Sequence, residues 1–163
     1  KRAACLGIRT EVVDHTAFAD KASFEAQLIR VLEDNEVELI CLAGFMRVLS
    51  EDFVASFPPK IINIHPSLLP AFPGLQVQQK AMEYGVRHTG CTVHFVVPEV
   101  DAGPIILQVV VPIEQEDTAE TLAARILEQE HLVYPRAVEL FAQGRLSIEG
   151  RRVLISEEGK DNA

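Results

Sequence analysis

The chain has 163 residues, 48% hydrophobic and 24% charged, which fits one globular domain with a core of its own. Its net charge of −9 excludes a broad binder of nucleic-acid backbone, yet permits a small anionic substrate held by local cations or a helix N-terminus. The apolar run Leu39–Met46 is too short to cross a membrane, no signal-peptide pattern opens the chain, and the three scattered cysteines suggest neither disulfides nor a metal knuckle, so a cytoplasmic protein with reduced thiols is expected.

The opening residues read as the end of a helix. Thr10–Asp14 has the pattern of a short strand. Asp20 is placed to cap a helix through about Asp34, with Phe24, Leu28, Val31 and Leu32 on its apolar face. Val37–Ala43 is nearly all apolar, as in a strand covered on both faces. Ser50 can cap a short helix that ends before Pro58-Pro59. Ile61–His65 is the next strand, and Gln76–Tyr84 a helix closed by Gly85. The strands Cys91–Val97 and Ile105–Pro112 follow, joined by the loop Pro98–Pro104. Asp117 and Glu120 have capping-box-like spacing before a long helix that Pro135 should kink or restart. Leu146–Ile148 and Val153–Ile155, around Gly150, predict a terminal hairpin. The order implies an α/β domain with a doubly wound, mostly parallel sheet and an antiparallel tail. No G-x-G-x-x-G or Walker-type loop occurs.

The chemistry concentrates in PKIINIHPSLLPAFPG, residues 59–74. Asn63 and His65 stand two apart on a strand, so they project to one side, at the edge where open α/β sheets bind ligands. Pro66, Pro70 and Pro73 stiffen the loop that follows. Blander roles exist for each: a structural histidine bonded to loop backbone, an asparagine stabilising a turn. Asp101 lies in PEVDAGP, where Asp-Ala-Gly is also ordinary turn chemistry. If the loops of His65 and Asp101 converge, a carboxylate within about 3 Å orients the imidazole and favours its charged form. That imidazole and the Asn63 amide then offer two donors to a carbonyl oxygen gaining negative charge. Ser67 lacks a nucleophile-elbow motif, so direct attack by an amine or water suits the residues better than an acyl-enzyme. His94 reads as a satisfied, half-buried strand residue, and Glu130 and His131 as a solvated helical face. His15 and His88 read as surface residues. A metal site from His65, His94 and Asp101 has no supporting ligand spacing.

Four segments together, AGFMRVLS at 43–50, NIHPSLLPAFPG at 63–74, TGCTVHFVVPEVDAGPIILQ at 89–108 and EHLVYP at 130–135, closely resemble phosphoribosylglycinamide formyltransferase of purine synthesis. The likeness runs from Arg2 to about Leu154. It implies a formyltransferase-like Rossmann variant, with residues 1–163 as one domain that lacks the family's N-terminal βα unit and its phosphate-binding loop. It implies transfer of a formyl group from 10-formyltetrahydrofolate, as cosubstrate, to the amine of glycinamide ribonucleotide, with no metal, nucleic-acid or membrane partner, and is compatible with a homodimer. By the resemblance His65 is general acid and oxyanion donor, Asn63 a second donor, and Asp101 the group that favours the charged His65. Lys21, Met46, Arg47, Val48 and Leu49 would contact the folate, as would Asn63 and the loop Val97, Pro98, Glu99, Val100 and Asp101. Leu127, Glu128, Gln129 and Glu130 would meet the ribonucleotide. Three rival readings remain: formyltetrahydrofolate deformylase, with water as acceptor; methionyl-tRNA formyltransferase, which needs an RNA-binding domain that this acidic chain does not suggest; and a non-catalytic folate-binding fragment.

Overall fold

A computed structural model describes residues 2–157. Strand β2 (Ile61–His65) explains the architecture, because its alternating side chains serve two different cores. Ile62 joins Val93, Phe95, Ile106, Leu122 and Ile126 on one face of the sheet. Ile61 joins Leu49, Phe53 and Phe57 on the other. Both faces are therefore covered, which is why the segment reads as an apolar run broken only by Asn63 and His65.

Helix α1 (Arg2–Cys5), a 3₁₀ turn at His15–Ala17 and α2 (Lys21–Asp34) precede β1 (Ile40–Leu42). Helix α3 (Glu51–Ser56) leads to β2, then α4 (Val77–Tyr84), β3 (His88–Phe95) and β4 (Ile105–Pro112). Helix α5 (Ala119–Ala142) and the hairpin β5 (Leu146–Glu149) and β6 (Arg152–Ile155) complete the described residues. The strand order is β1-β2-β3-β4-β6-β5. Helices α2 and α3 cover one face of the sheet and α5 the other.

The α/β class holds, with helices on both faces, but the sheet is mixed rather than mostly parallel. β1–β2 and β4–β6 are parallel, whereas β2–β3, β3–β4 and β5–β6 are antiparallel. The short loop 96–104 cannot carry the crossover that a parallel β3–β4 pair requires.

Most expected elements form, including the Asp20 and Ser50 caps, whose side chains accept from Ser23 N–H and Phe53 N–H. Three expectations are corrected. Thr10–Asp14 is irregular, with Val12 89% exposed, because no described strand lies alongside to take its backbone hydrogen bonds. The α5 capping box is built from Thr118 and Thr121. Asp117 instead takes Arg125 through two oxygens at 2.7 Å. Helix α5 does not restart at Pro135 but continues through it, its face buried against β3 and β4 and its Tyr134 hydroxyl held by the carbonyls of Leu42 and Ile62.

Candidate active site

At the C-terminal end of β2, Asn63 and His65 open into a cavity of about 530 Å³. The strand ends there because Pro66 cannot donate to a ladder, and the chain turns into the proline-rich loop. That loop is tied down by Thr92 on β3: its hydroxyl donates to Ser67 O at 2.7 Å and accepts from Leu69 N–H at 3.0 Å. Gln108 on β4 adds bonds to Thr92 Oγ1 and Leu69 O, both at 2.9 Å.

Asp101 arrives on the loop between β3 and β4, in a left-handed conformation with φ of 53°. The loop can return this closely because position 103 is glycine: a Cβ there would lie 1.7 Å from Phe95 O. One oxygen of Asp101 accepts from Gly74 N–H at 2.8 Å and stands 3.4 Å from His65 Nδ1. The other stands 3.7 Å from His94 Nε2. The expected convergence of Asp101 and His65 therefore occurs, slightly looser than the anticipated 3 Å. His65 Nε2 donates to Phe72 O at 2.9 Å, so the imidazole is gripped from the loop side as well.

His94 is the residue that local patterning undervalued. It is buried more deeply than the half-buried residue expected, lies opposite Asn63 in the β2–β3 register and touches both Asn63 and Asp101. Its Nδ1 faces Phe95 O at 2.9 Å, which only a protonated nitrogen can do. Burial holds its pKa below the ordinary histidine value, favouring the neutral ring, while the Phe95 carbonyl and Asp101 pull the other way. In that tautomer Nε2 is an acceptor, and it takes an N–H from Asn63 Nδ2 at 3.2 Å. One amide hydrogen of Asn63 is thereby committed to His94, and the other is available to an oxygen in the cavity. The only signal in the sequence was the shared face of Thr92, His94 and Val96.

The remaining predicted residues divide. Met46, Arg47, Val48 and Leu49 line one wall, and Val97, Pro98, Glu99 and Val100 another. Met46 is 77% exposed, an unusual display of apolar surface beside Asn63 and His65. Glu130 reaches the cavity from α5, and burial pushes its carboxyl above the ordinary value although His131 and His65 oppose this. Leu127, Glu128 and Gln129 are outside the lining, and so is Lys21, which pairs with Glu25 at 3.8 Å. Among the described residues no group of three or more His, Cys, Asp or Glu side chains is arranged to hold a metal ion. No helix is long and apolar enough to cross a membrane among them.

A mixed sheet sandwiched by helices, with amide, imidazole and carboxylate gathered at a strand end, defines an α/β domain of the formyltransferase type. The chain belongs to the formyl transferase family, whose profile matches residues 1–138. It is 51% identical over 148 residues to the trifunctional purine biosynthetic protein adenosine-3 of Gallus gallus, covering 91% of this chain and 15% of that protein. It is 40% identical over 148 residues to the phosphoribosylglycinamide formyltransferase of Escherichia coli K12, covering 91% of this chain and 70% of that one. The crystal structure of glycinamide ribonucleotide transformylase 1 from Symbiobacterium toebii superposes with a TM-score of 0.93 at 51% identity, covering 96% of this chain and 74% of that one. The chain thus spans a small fraction of the trifunctional relatives and about seven tenths of the single-function one.

Proposed function

We propose that this chain carries the catalytic centre of a phosphoribosylglycinamide formyltransferase, moving a formyl group from 10-formyltetrahydrofolate to the amine of glycinamide ribonucleotide. The observation that carries the reading is the meeting of Asn63, His65 and Asp101 beside an exposed apolar wall. The names of the relatives agree with it.

The flat heterocycle of the folate lies between the strip 46–49 and the loop 97–101, where apolar walls and backbone groups suit it. The amine nitrogen of the ribonucleotide attacks the formyl carbon, forming a C–N bond while the carbonyl electron pair moves onto oxygen. Asn63 donates its uncommitted amide hydrogen to that oxyanion. His65 donates from the Nδ1 side, where Asp101 stands off at 3.4 Å. As the intermediate collapses, the bond to the folate nitrogen breaks and that nitrogen takes up a proton, while the former amine releases one. Asp101 balances the charge of the protonated imidazole, and Glu130 accepts a hydrogen bond from the incoming amine. The chemistry needs no metal. Residues 1–163 act as one formyltransferase domain of Rossmann-like type, in the cytoplasm, alone or as a homodimer.

The test is release of tetrahydrofolate from the formyl donor with and without glycinamide ribonucleotide, beside a His65→Ala control. The proposal expects turnover that requires the acceptor and is lost in the control. Acceptor-independent production of formate would assign the site to a hydrolase instead.

A further inference from the structure

The strip that forms the apolar wall is held in place from a distance. Ser50 caps α3 by accepting Phe53 N–H at 3.1 Å. In a complete capping box the side chain at the third helical position returns to the cap's own N–H. Here that position is Phe53, which has no acceptor. The missing partner comes from another helix: Glu25 on α2 accepts Ser50 N–H at 3.0 Å. Glu25 is only 4% exposed, and the same oxygen meets the half-exposed Lys21 at 3.8 Å. One residue earlier on α2, the Phe24 ring lies under the Arg47 guanidinium, 5.6 Å from ring centroid to Cζ. Helix α2 therefore grips the strip at two points, Arg47 near its start and Ser50 just beyond its end.

We propose that Glu25 is a positioning residue for folate binding: it completes the Ser50 cap in trans and so fixes the 46–49 backbone against which the heterocycle lies. The inference rests on the functional reading above. A buried carboxylate at this point is otherwise a poor choice, because an apolar side chain would pack there without desolvating a charge. Its acceptor oxygen is the useful feature. Loss of that oxygen leaves Ser50 N–H without its partner and frees the strip, whereas Asn63, His65 and Asp101 sit on other segments and keep their contacts.

Calorimetric titration with tetrahydrofolate, alongside steady-state kinetics, tests this on wild type, Glu25→Ala and Glu25→Gln. Glu25→Ala is expected to weaken tetrahydrofolate binding and raise the donor KM by about tenfold, the order of one charge-assisted hydrogen bond. Its kcat and acceptor KM should stay within about twofold, because the contacts of the reacting groups are untouched. Glu25→Gln keeps an acceptor oxygen and should restore most of the affinity. If Glu25→Ala does not fold by circular dichroism, Glu25→Met, which keeps the length and drops the acceptor, takes its place. Wild-type affinity in the acceptor-less variant, equal loss for donor and acceptor, or a Gln variant as weak as Ala would each overturn the inference while leaving the functional reading intact. A wild-type protein that does not bind tetrahydrofolate would defeat the functional reading itself, and the inference with it.

Discussion

The carboxylate of Asp101 meets partners from three segments: His65 at the end of β2, Gly74 at the end of the proline-rich loop, and His94 on β3. Burial holds the pKa of the neighbouring His94 below its ordinary value of 6.5. Between the native and ordinary values the unfolded chain binds more protons than the folded one, so stability rises with pH through that window and falls on acidification below about 6.5. Glu130, raised above 4.5, acts in the opposite sense, since its folded form holds the proton longer and loses stability as pH rises. Comparing wild type with His94→Gln by thermal melts from pH 5 to 7 isolates the first effect. The variant should show a flatter dependence on pH, and turnover reduced by about tenfold or more as the Asn63 amide loses its fixed orientation. Asn63, His65 and Asp101 were legible because each sits where a strand or loop pattern breaks. His94 was not, because its meeting with Asn63 depends on cross-strand register, which no local pattern reveals.

Elements that bury a repeating face were readable from their periodicity, and elements that depend on a neighbour were not. Helix α2, β2, β4 and the terminal hairpin follow their patterns. Thr10–Asp14 alternates like a strand, but it has no described strand beside it. Asp117 looked like half of a capping box, yet the Arg125 guanidinium, eight residues on and about two turns along, competes for its carboxylate and wins with a two-oxygen grip. This pairing, with Glu114 N–H and Thr121, holds the Asp117 carboxyl well below the ordinary 3.8. Its contribution is present above 3.8 and lost as pH falls through the native value. Asp117→Asn should therefore melt a few degrees lower than wild type at pH 7, about the shift one such bond gives, and the gap should narrow below pH 4. A separate constraint lies between β3 and β4. Gly103→Ala places a methyl 1.7 Å from Phe95 O, so the loop must shift. The expected cost is about 1–3 kcal/mol by denaturant titration, together with lost activity as Asp101 moves from His65.

For the whole molecule, the mixed sheet brings chemistry from distant stretches to one edge. The parallel β1–β2 pair brings the 43–49 segment beside the end of β2, and the antiparallel β2–β3–β4 run returns the loop 96–104 to the same place. Helix α5 crosses beneath and delivers Glu130. The residue types at this edge were evident from the sequence, but the mixture of strand directions that assembles them arises from loop lengths and packing. Asn63, His65 and Asp101 are proposed to act together on a bound folate. Measuring kcat for Asn63→Ala, His65→Ala and Asp101→Asn, each alongside its tetrahydrofolate affinity, probes that joint action. Every variant should lose about a hundredfold or more in kcat, with affinity changed by less than about tenfold. Wild-type kcat in any one of the three would contradict it.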